Sequence, residues 1–568
     1  DEMFAVVSDM RNSGITPEML AEKLKFINNI PIKNKTHDIE LLYRSYMQEL
    51  TEKYLDATSK FDALLNIIGE IDAVRNSYVY VSDYYTFTNP ELKLLERIMS
   101  LSKEVNISLV EKDHGSNRRI FPKTSAKLIS IAESLEQSVS VERNKAADDG
   151  NRMILDNLFG YQNDKEYPVR KDVLLYEADN VEQELTFIGA LINKSVREKG
   201  IRYKDIALAV SDVETYKDEI NRVFGRLRIP YYIDDKIPIL KAVSVKFVVA
   251  ALNTALSGYR RSDVTDFISN GLMRDITYKE RDVFTNYLAK FNIDRSRFLG
   301  DFTLGEGETL DALNETRRKI FKGFDILEKS VEKRKMSEHI DNVLHYLDEI
   351  DYIGRINAFA RKEYDEGFVI ESEITKQAPK KLFRFFEEMK MVGGDEVMDL
   401  KEFRDVMLAG LVRVSISLIP KFGDSVYIGD VSESRYDEVK EMYFAGMSQD
   451  KVPKDASGHG IIGSQENEVY SSLDISITPS PKDKNLLGRF YLLELLLKAK
   501  DRIVVGYSLE NGGKKSKSIV IKELEKIYSL KTESVAKLFE MSVPDSVSTL
   551  GNALYVTAKN YGEFSDKE

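Results

Sequence analysis

The stretch DVLLYEADNVEQELTFIGALINKSVREKGIRYKDIALAVSDVETYKDEINRVFGRLRIPYYI (residues 172–233) decides the fold class. Val173-Leu174-Leu175-Tyr176 reads as a short strand. Asn180, with Gln183 three residues on, predicts a capping box that opens a helix. Leu185, Ile188, Leu191, Ile192 and Val196 fall on one face of that helix, and Gly200 supplies its stop. Ile206 to Val210 is apolar at every position, as in a strand covered on both faces. Asp212 predicts the cap of a second helix, and Ile229-Pro230-Tyr231-Tyr232-Ile233 returns to the sheet. Strand and helix alternating in this way is the pattern of a parallel α/β sheet.

Working outward, Val79-Tyr80-Val81 predicts a strand, a helix follows from about Pro90, and Ile107 to Val110 predicts another strand. The first 75 residues read as helical, with Tyr43, Tyr46, Met47, Leu50 and Tyr54 on one stripe. Residues from about 112 to 170 read as a mixed connector broken at Asp148-Asp149-Gly150. Residues 240 to about 415 are helical, highly charged and poor in strand signals. Sheet grammar then resumes with Val426 to Gly429 and Met442 to Gly446, an apolar helix from Leu486 to Lys500, and the strand Ile503 to Val505. An α/β domain is therefore expected to be split by a helical insertion, far longer than a connecting loop.

Composition bounds the function. The 568 residues suggest about four domains. Apolar residues at 42% and charged residues at 31% exclude wholesale disorder. Lys and Arg number 82 against 94 Asp and Glu, a formal net charge of -12, so any nucleic-acid contact must use a local groove. The sequence holds no cysteine, which removes disulfides, thiolate metal sites, iron–sulfur clusters and thiol nucleophiles. No apolar run is long enough to span a membrane, the start DEMFAVVSDM lacks the pattern of a signal peptide, and the expected compartment is the cytoplasm.

Catalytic motifs are missing. No GxxxxGK[ST] phosphate loop occurs, because Ser508 stands where Gly512-Gly513-Lys514 would need its first glycine. No GxGxxG, HExxH, calcium loop or Gly-x-Ser-x-Gly elbow is present, and no metal site is expected. His339 and His345, six apart, read as surface residues. Basic clusters are the remaining candidates: Lys194, Arg197, Lys199, Arg202 and Lys204; Arg222, Arg226 and Arg228; Lys380, Lys381 and Arg384 beside three phenylalanines; and Lys514, Lys515 and Lys517. Each is either a solvated face or a set of phosphate contacts along a nucleic-acid groove.

Several segments taken together carry a family resemblance. They are KTHDIELLYRSYMQELTEKYLD (35–56), VYVSDYYTFTNPELKLLERIM (79–99), EQELTFIGALINKSVREKGIRYKDIALAVSD (182–212), FGRLRIPYYID (224–234), VYIGDVSESRYDEVKEMYFAGMSQDKVP (426–453) and LLGRFYLLELLLKAKDRIVVGYS (486–508). In order and spacing they resemble the AddB-type (RexB-like) subunit of bacterial AddAB helicase–nucleases, which carries a superfamily 1 helicase-like body. The resemblance implies two RecA-like domains of the P-loop NTPase type with large helical insertions. Residues 1–75 would be a helical insertion of the first RecA-like domain, and 76–165 the rest of that domain and a connector. Residues 166–260 and 416–530 would be the halves of the second, 261–415 its insertion, and 531–568 the lead into a nuclease. A phosphate loop before residue 1, and a nuclease with four cluster-binding cysteines after residue 568, would belong to a protein about twice as long. ATP with magnesium and a 4Fe–4S cluster would bind in those other parts.

Against the family of active helicases the hydrolysis positions are degraded. Ser82 stands where the magnesium-holding Asp is expected, and Asp83 where the water-activating Glu is expected. Glu91 stands in place of a Gln, and Lys498 in place of the arginine that neutralises transition-state charge. Arg435 lies in SESRYDEV, where the family's own version carries an arginine, and Lys451 stands where the family has a glycine before the proline. The resemblance therefore implies an inactivated helicase-like body, not catalytic alone. It would guide and scan a DNA strand during double-strand-break end processing for recombinational repair, beside an AddA-type helicase/nuclease partner. DNA, as single strand and duplex ends, would meet Arg197, Arg202, Lys204, Arg226, Arg228, Lys381, Arg384 and Arg435. The alternatives are a protein-interaction scaffold without DNA contact, and a working ATPase, against which Ser82 and Lys498 argue.

Overall fold

The computed structural model describes residues 2–540 except 51–56, 113, 144–149, 162–166, 168–170, 274–275, 306–307, 329–330, 418–422, 455–460, 476, 478–479 and 510–514. Expectations placed on Tyr54, Asp148, Asp149, Lys514 and most of 531–568 lie outside the described residues. The chain divides into two compact units, Asp1–Asp234 with Lys421–Glu568, and Asp235–Pro420.

The first unit holds β1 (Tyr78–Val81), β2 (Glu104–Ile107), β3 (Asp172–Ala178), β4 (Ile206–Val210), β5 (Tyr231–Ile233), β6 (Val426–Asp430), β7 (Val439–Ala445), β8 (Ala499–Ser508) and β9 (Glu533–Ser534). Seven of them form one parallel sheet in the order β9-β3-β8-β7-β4-β6-β5. Within it, β4 lies between β6 and β7, with Leu208 in register between Ile428 and Tyr443. All five residues of β4 are buried, because both faces are covered. Leu208 and Val210 pack under helices Val181–Lys199 and Val213–Leu227, with Ile188, Ile192, Ile220 and Phe224. Ala207 and Ala209 point the other way, to Phe490, Leu493, Val520 and Leu524 of helices Pro481–Leu497 and Ile519–Tyr528. Each large side chain so buried contributes about 1.5–3 kcal/mol of transfer free energy.

Asn180 caps its helix as expected, its side chain accepting from Gln183 N–H. Gln183 does not close the box: its Oε1 accepts from Asp179 N–H, one residue earlier. Gly200 takes the left-handed conformation after the helix. Asp212 accepts from Glu214 N–H and Thr215 Oγ1.

Residues 76–165 supply the two-stranded parallel sheet β1–β2 among the described residues. Its second strand runs over Glu104–Ile107, not from Ile107 to Val110. The reason is periodicity: Val105 and Ile107 alternate with Glu104 and Asn106 on a half-exposed strand, which an apolar-run reading misses. In the helical start, Tyr43 is buried and donates to Ile15 O at 2.8 Å, while Tyr46 and Met47 are half-buried.

The second unit is a helical body with a single aromatic-rich core that includes Phe247, Phe267, Phe284, Phe324, Tyr346, Tyr352, Phe386 and Phe403. Residues 235–260 pack here, whereas the resemblance groups them with the sheet. His339 is wholly buried, correcting its surface reading: its ring stacks on Phe403 at 5.3 Å and its Nε2 lies 2.8 Å from Met398 O. It sits one turn from Met336, on the buried stripe of helix Met336–Glu349. His345 is exposed.

Candidate nucleic-acid interface

Parallel α/β sheets bind ligands outside the carboxyl ends of their strands, where neighbouring connections diverge to opposite faces. Here one such point lies between β4 and β7. The chain leaves β4 through Ser211-Asp212 toward helix Val213–Leu227. It leaves β7 through Gly446-Met447-Ser448 toward the helices of the other face. Gly446 has φ of +71°, and a Cβ there would sit 2.4 Å from Ser211 Oγ and 2.7 Å from Tyr216 Oη. The two loops are therefore in direct contact, and only glycine fits.

Beneath this crevice is Glu184, fully buried on helix Val181–Lys199. Oε1 accepts from Tyr176 Oη at 2.9 Å and from Gly446 N–H at 2.9 Å, and Oε2 accepts from Tyr216 Oη at 2.7 Å. One carboxyl group thus ties β3, helix Val213–Leu227 and the β7 loop together. Burial pushes its pKa up, against hydrogen bonds from Gly446, Tyr216, Tyr176 and Ser508 that lower it.

Two lysines stand over the crevice. Lys451 Nζ lies 4.0 Å from Asp212 and Lys454 Nζ lies 4.0 Å from Asp430. Both side chains are about half exposed, so these long pairs are weak and leave the cations available to an anion. Asp430 is otherwise committed, accepting from Ser432 N–H and Oγ at 2.7 Å each. The Ser448 hydroxyl is buried in the loop after β7, and it is the first cause that holds the Asp450 carboxyl below its ordinary value. Arg435 is exposed in the loop after β6 and makes no ion pair among the described residues.

The residues that the resemblance sets at hydrolysis positions make local contacts. Ser82 Oγ donates to Asp83 Oδ2 at 3.3 Å, and both are exposed. Glu91 accepts from Thr88 N–H and Oγ1 at 2.7 and 2.8 Å, so its carboxylate caps helix Asn89–Leu101. Tyr85 packs edge-on against Phe490 at 4.9 Å and donates to Glu494 at 3.4 Å. Burial, with Glu494 and Asp83 nearby, pushes the Tyr85 phenol up to about 12. Glu494 is raised by its own burial, with Lys498 and Tyr85 acting in the opposite direction. A neutral Ser82, one exposed carboxylate at Asp83 and an engaged Glu91 do not fit a magnesium-bound nucleotide.

Within the first unit the basic clusters do not converge. Arg197 pairs with Glu198, Arg202 with Asp424, and Lys199 with buried Glu441 at 2.8 Å. Burial raises Glu441, but hydrogen bonds from Lys199, Tyr443 and Ser195 outweigh it, and the net shift is downward. Arg202 and Lys204 precede β4, so they lie at the edge of the sheet opposite the crevice, and Lys204 N–H donates to Asp424. Arg226 is held on a helix face by Glu182 and Thr186. Arg228 closes helix Val213–Leu227 with its backbone and keeps an exposed side chain. In the second unit Lys381 donates to Ser415 O and Arg384 pairs with Glu388. Of the predicted DNA contacts, only Arg435 belongs to the crevice side of the sheet.

The chain has relatives among known proteins. Residues 1–157 match the family model described as ADDB, N-terminal. Proteins named as ATP-dependent helicase/deoxyribonuclease subunits of the B type align with almost all of the chain. That of Lachnoclostridium phytofermentans is 25% identical, covering 93% of this chain and 49% of its own. That of Bacillus subtilis is 24% identical, covering 98% and 50%. That of Alkaliphilus oremlandii is 23% identical, covering 92% and 48%. Over residues 1–157 the chain is similar to the AddB N-terminal family, and over almost all of its length to these B-type subunits. It spans about half the length of the curated relatives it matches.

The Glu184 tie and Lys454 escaped the sequence reading. Glu184 had a signal: it sits one turn before Ile188, beside Leu185, where an apolar stripe admits no solvated carboxylate. Lys454 had none, since its place over Asp430 depends on two loops meeting. Among the described residues no helix is long and apolar enough to cross a membrane.

Proposed function

We propose that this stretch is the inactivated helicase-like body of a helicase–nuclease subunit. It guides and scans a DNA strand during double-strand-break end processing for recombinational repair, beside an AddA-type helicase/nuclease subunit in the cytoplasm. The family's two RecA-like domains are part of this reading. ATP hydrolysis and strand cleavage are assigned to the partner and to other parts of the assembly, and a 4Fe–4S cluster cannot rest on a cysteine-free stretch. The observation that carries the reading is the carboxyl edge of the sheet at β4 and β7, where Lys451 and Lys454 lie 4.0 Å from Asp212 and Asp430, with Arg435 exposed in the loop after β6. The parallel sheet supports the helicase-like body, and the engaged Glu91 and neutral Ser82 support its inactivation.

The test is fluorescence anisotropy with a short single-stranded DNA over a salt series, without nucleotide. Binding is expected, and it should weaken steeply with salt. Lys451→Glu with Lys454→Glu should cost about tenfold or more in affinity, and should lower the log–log salt slope by about 1.4 if two phosphate contacts are lost. An unchanged slope in that variant removes the crevice from the path.

A second reading, a protein-interaction scaffold, is favoured by the ion pairing of the remaining basic clusters and by the net charge of -12. Absence of DNA binding at low salt would select it.

A further inference from the structure

In the second unit, arginines far apart in sequence meet on one face. Arg295 N–H donates to Tyr259 O at 2.9 Å, which sets the turn Arg295–Phe298 beside Arg260 and Arg261. Arg261 N–H donates to Asp294 Oδ1 at 2.7 Å, and Arg261 Nη1 donates to Asn292 Oδ1 at 3.1 Å. Arg297 reaches back to the carbonyls of Phe291 and Asn292. Arg317 Nη1 donates to Phe298 O at 3.0 Å, bringing Arg317 and Arg318 to the far side of the same turn. Two nearby carboxylates, Asp301 and Asp294, are already used, while Asp266 on the groove wall is exposed. Asp301 holds Arg317 and Arg318, which keep its pKa down. Asp294 accepts from Arg261 N–H and lies 4.0 Å from Arg295. Arg260, Arg295 and Arg297 are exposed, and Arg260 makes no ion pair among the described residues. Beside them opens a groove of about 720 Å³ lined by Arg260, Arg261, Ser262, Thr265 and Thr285, with Asp266 and Asp294 also on its wall.

Guanidinium groups match phosphate oxygens in charge and in planar geometry better than lysine does. Tyr259, Tyr287, Phe298 and Phe302 are buried, and the less buried Phe291 and Tyr278 already carry Lys290 and Arg281 over their rings at 5.2 and 4.7 Å. Base stacking on exposed rings is how proteins hold single strands, and this face offers none of these rings uncovered. It offers backbone contacts, which suit a duplex. We propose that the Arg260–Arg295–Arg297 face binds the phosphodiester backbone of double-stranded nucleic acid. This is a second surface, in the other unit from the β4–β7 crevice, and it stands whether or not that crevice takes a strand.

The experiment uses the full chain and a short blunt-ended DNA duplex, read by anisotropy over a salt series. Arg260→Glu with Arg295→Glu should weaken duplex binding about tenfold or more and flatten the log–log slope by about 2, since each duplex phosphate contact carries about 0.9. The crevice variant is read on single-stranded DNA and the arginine variant on duplex, so failure of one surface is separable from failure of the other. A second readout needs no substitution: duplex should shield Arg260, Arg295 and Arg297 from phenylglyoxal, mapped by mass spectrometry, while Arg361, with its side chain 85% exposed, reacts as before. Failure of the native chain to bind duplex, an unchanged slope in the arginine variant, or equal modification with and without duplex would each overturn the proposal. So would competition by polyglutamate as effective as by unlabelled duplex, which would make the face a site for acidic protein.

Discussion

Glu184→Ala is expected to lower the unfolding free energy of the first unit by about 3–5 kcal/mol. The change leaves Gly446 N–H and the hydroxyls of Tyr176 and Tyr216 without their acceptor in a core that excludes water, and it opens a cavity. Glu184→Gln separates shape from charge, because its amide oxygen can still accept from Gly446 while the tyrosine hydroxyls rotate to suit the amide nitrogen. The pH dependence follows from the upward shift. A carboxyl group whose pKa is raised by folding gives its full contribution below the unfolded value of 4.5, and that contribution is lost as pH rises through the folded value. The native chain should therefore lose stability relative to Glu184→Gln over that rise. Urea unfolding of both proteins over a pH series from about 4 to about 7 checks this. Parallel profiles would remove the titration of Glu184 from the account. A Glu184→Ala chain as stable as the native would remove the tie itself.

The second large effect is expected at Gly506, near the carboxyl end of β8. A Cβ there would lie 2.4 Å from Tyr176 Cε2 and 2.5 Å from Cδ2, inside the ring's contact distance. The ring has no free direction. Tyr176 is fully buried, and its hydroxyl donates to Glu184 while lying 3.0 Å from Phe444 O. Gly506→Ala should thus cost about 2–4 kcal/mol, as overpacking plus weakened hydrogen bonds. The cause can be isolated in a double-mutant cycle. Tyr176→Leu costs stability by itself, yet in its presence Gly506→Ala should become much cheaper. Measured additivity of the two changes would mean that Gly506 is required for another reason.

What could be read from residues 172–233 alone was local. Strands β3, β4 and β5, the caps at Asn180 and Asp212 and the stop at Gly200 all follow from side-chain periodicity and backbone chemistry within a few residues. The parallel character of the sheet was legible for the same reason, since β4 is apolar at every position. Periodicity misplaced β2 because a half-exposed strand alternates polar with apolar, and it put His339 on the surface because a single histidine gives no sign of the ring it stacks on.

Charge patterning was read least well. Arg197, Arg202 and Lys204 are neighbours in sequence and look like a basic patch, yet Glu198 and Asp424 answer two of their charges and the sheet turns them away from its ligand edge. Lys451 and Lys454, by contrast, gain their place only because the loops after β4, β6 and β7 end at one edge. The arginine face of the second unit joins residues from three separated segments and has no signature in any one of them. The sequence by itself determined which segments become strands and helices. Only the tertiary structure decided which cations share a surface and which carboxylates neutralise them. Secondary structure answers to neighbours along the chain, whereas electrostatic attraction and burial answer to neighbours in space.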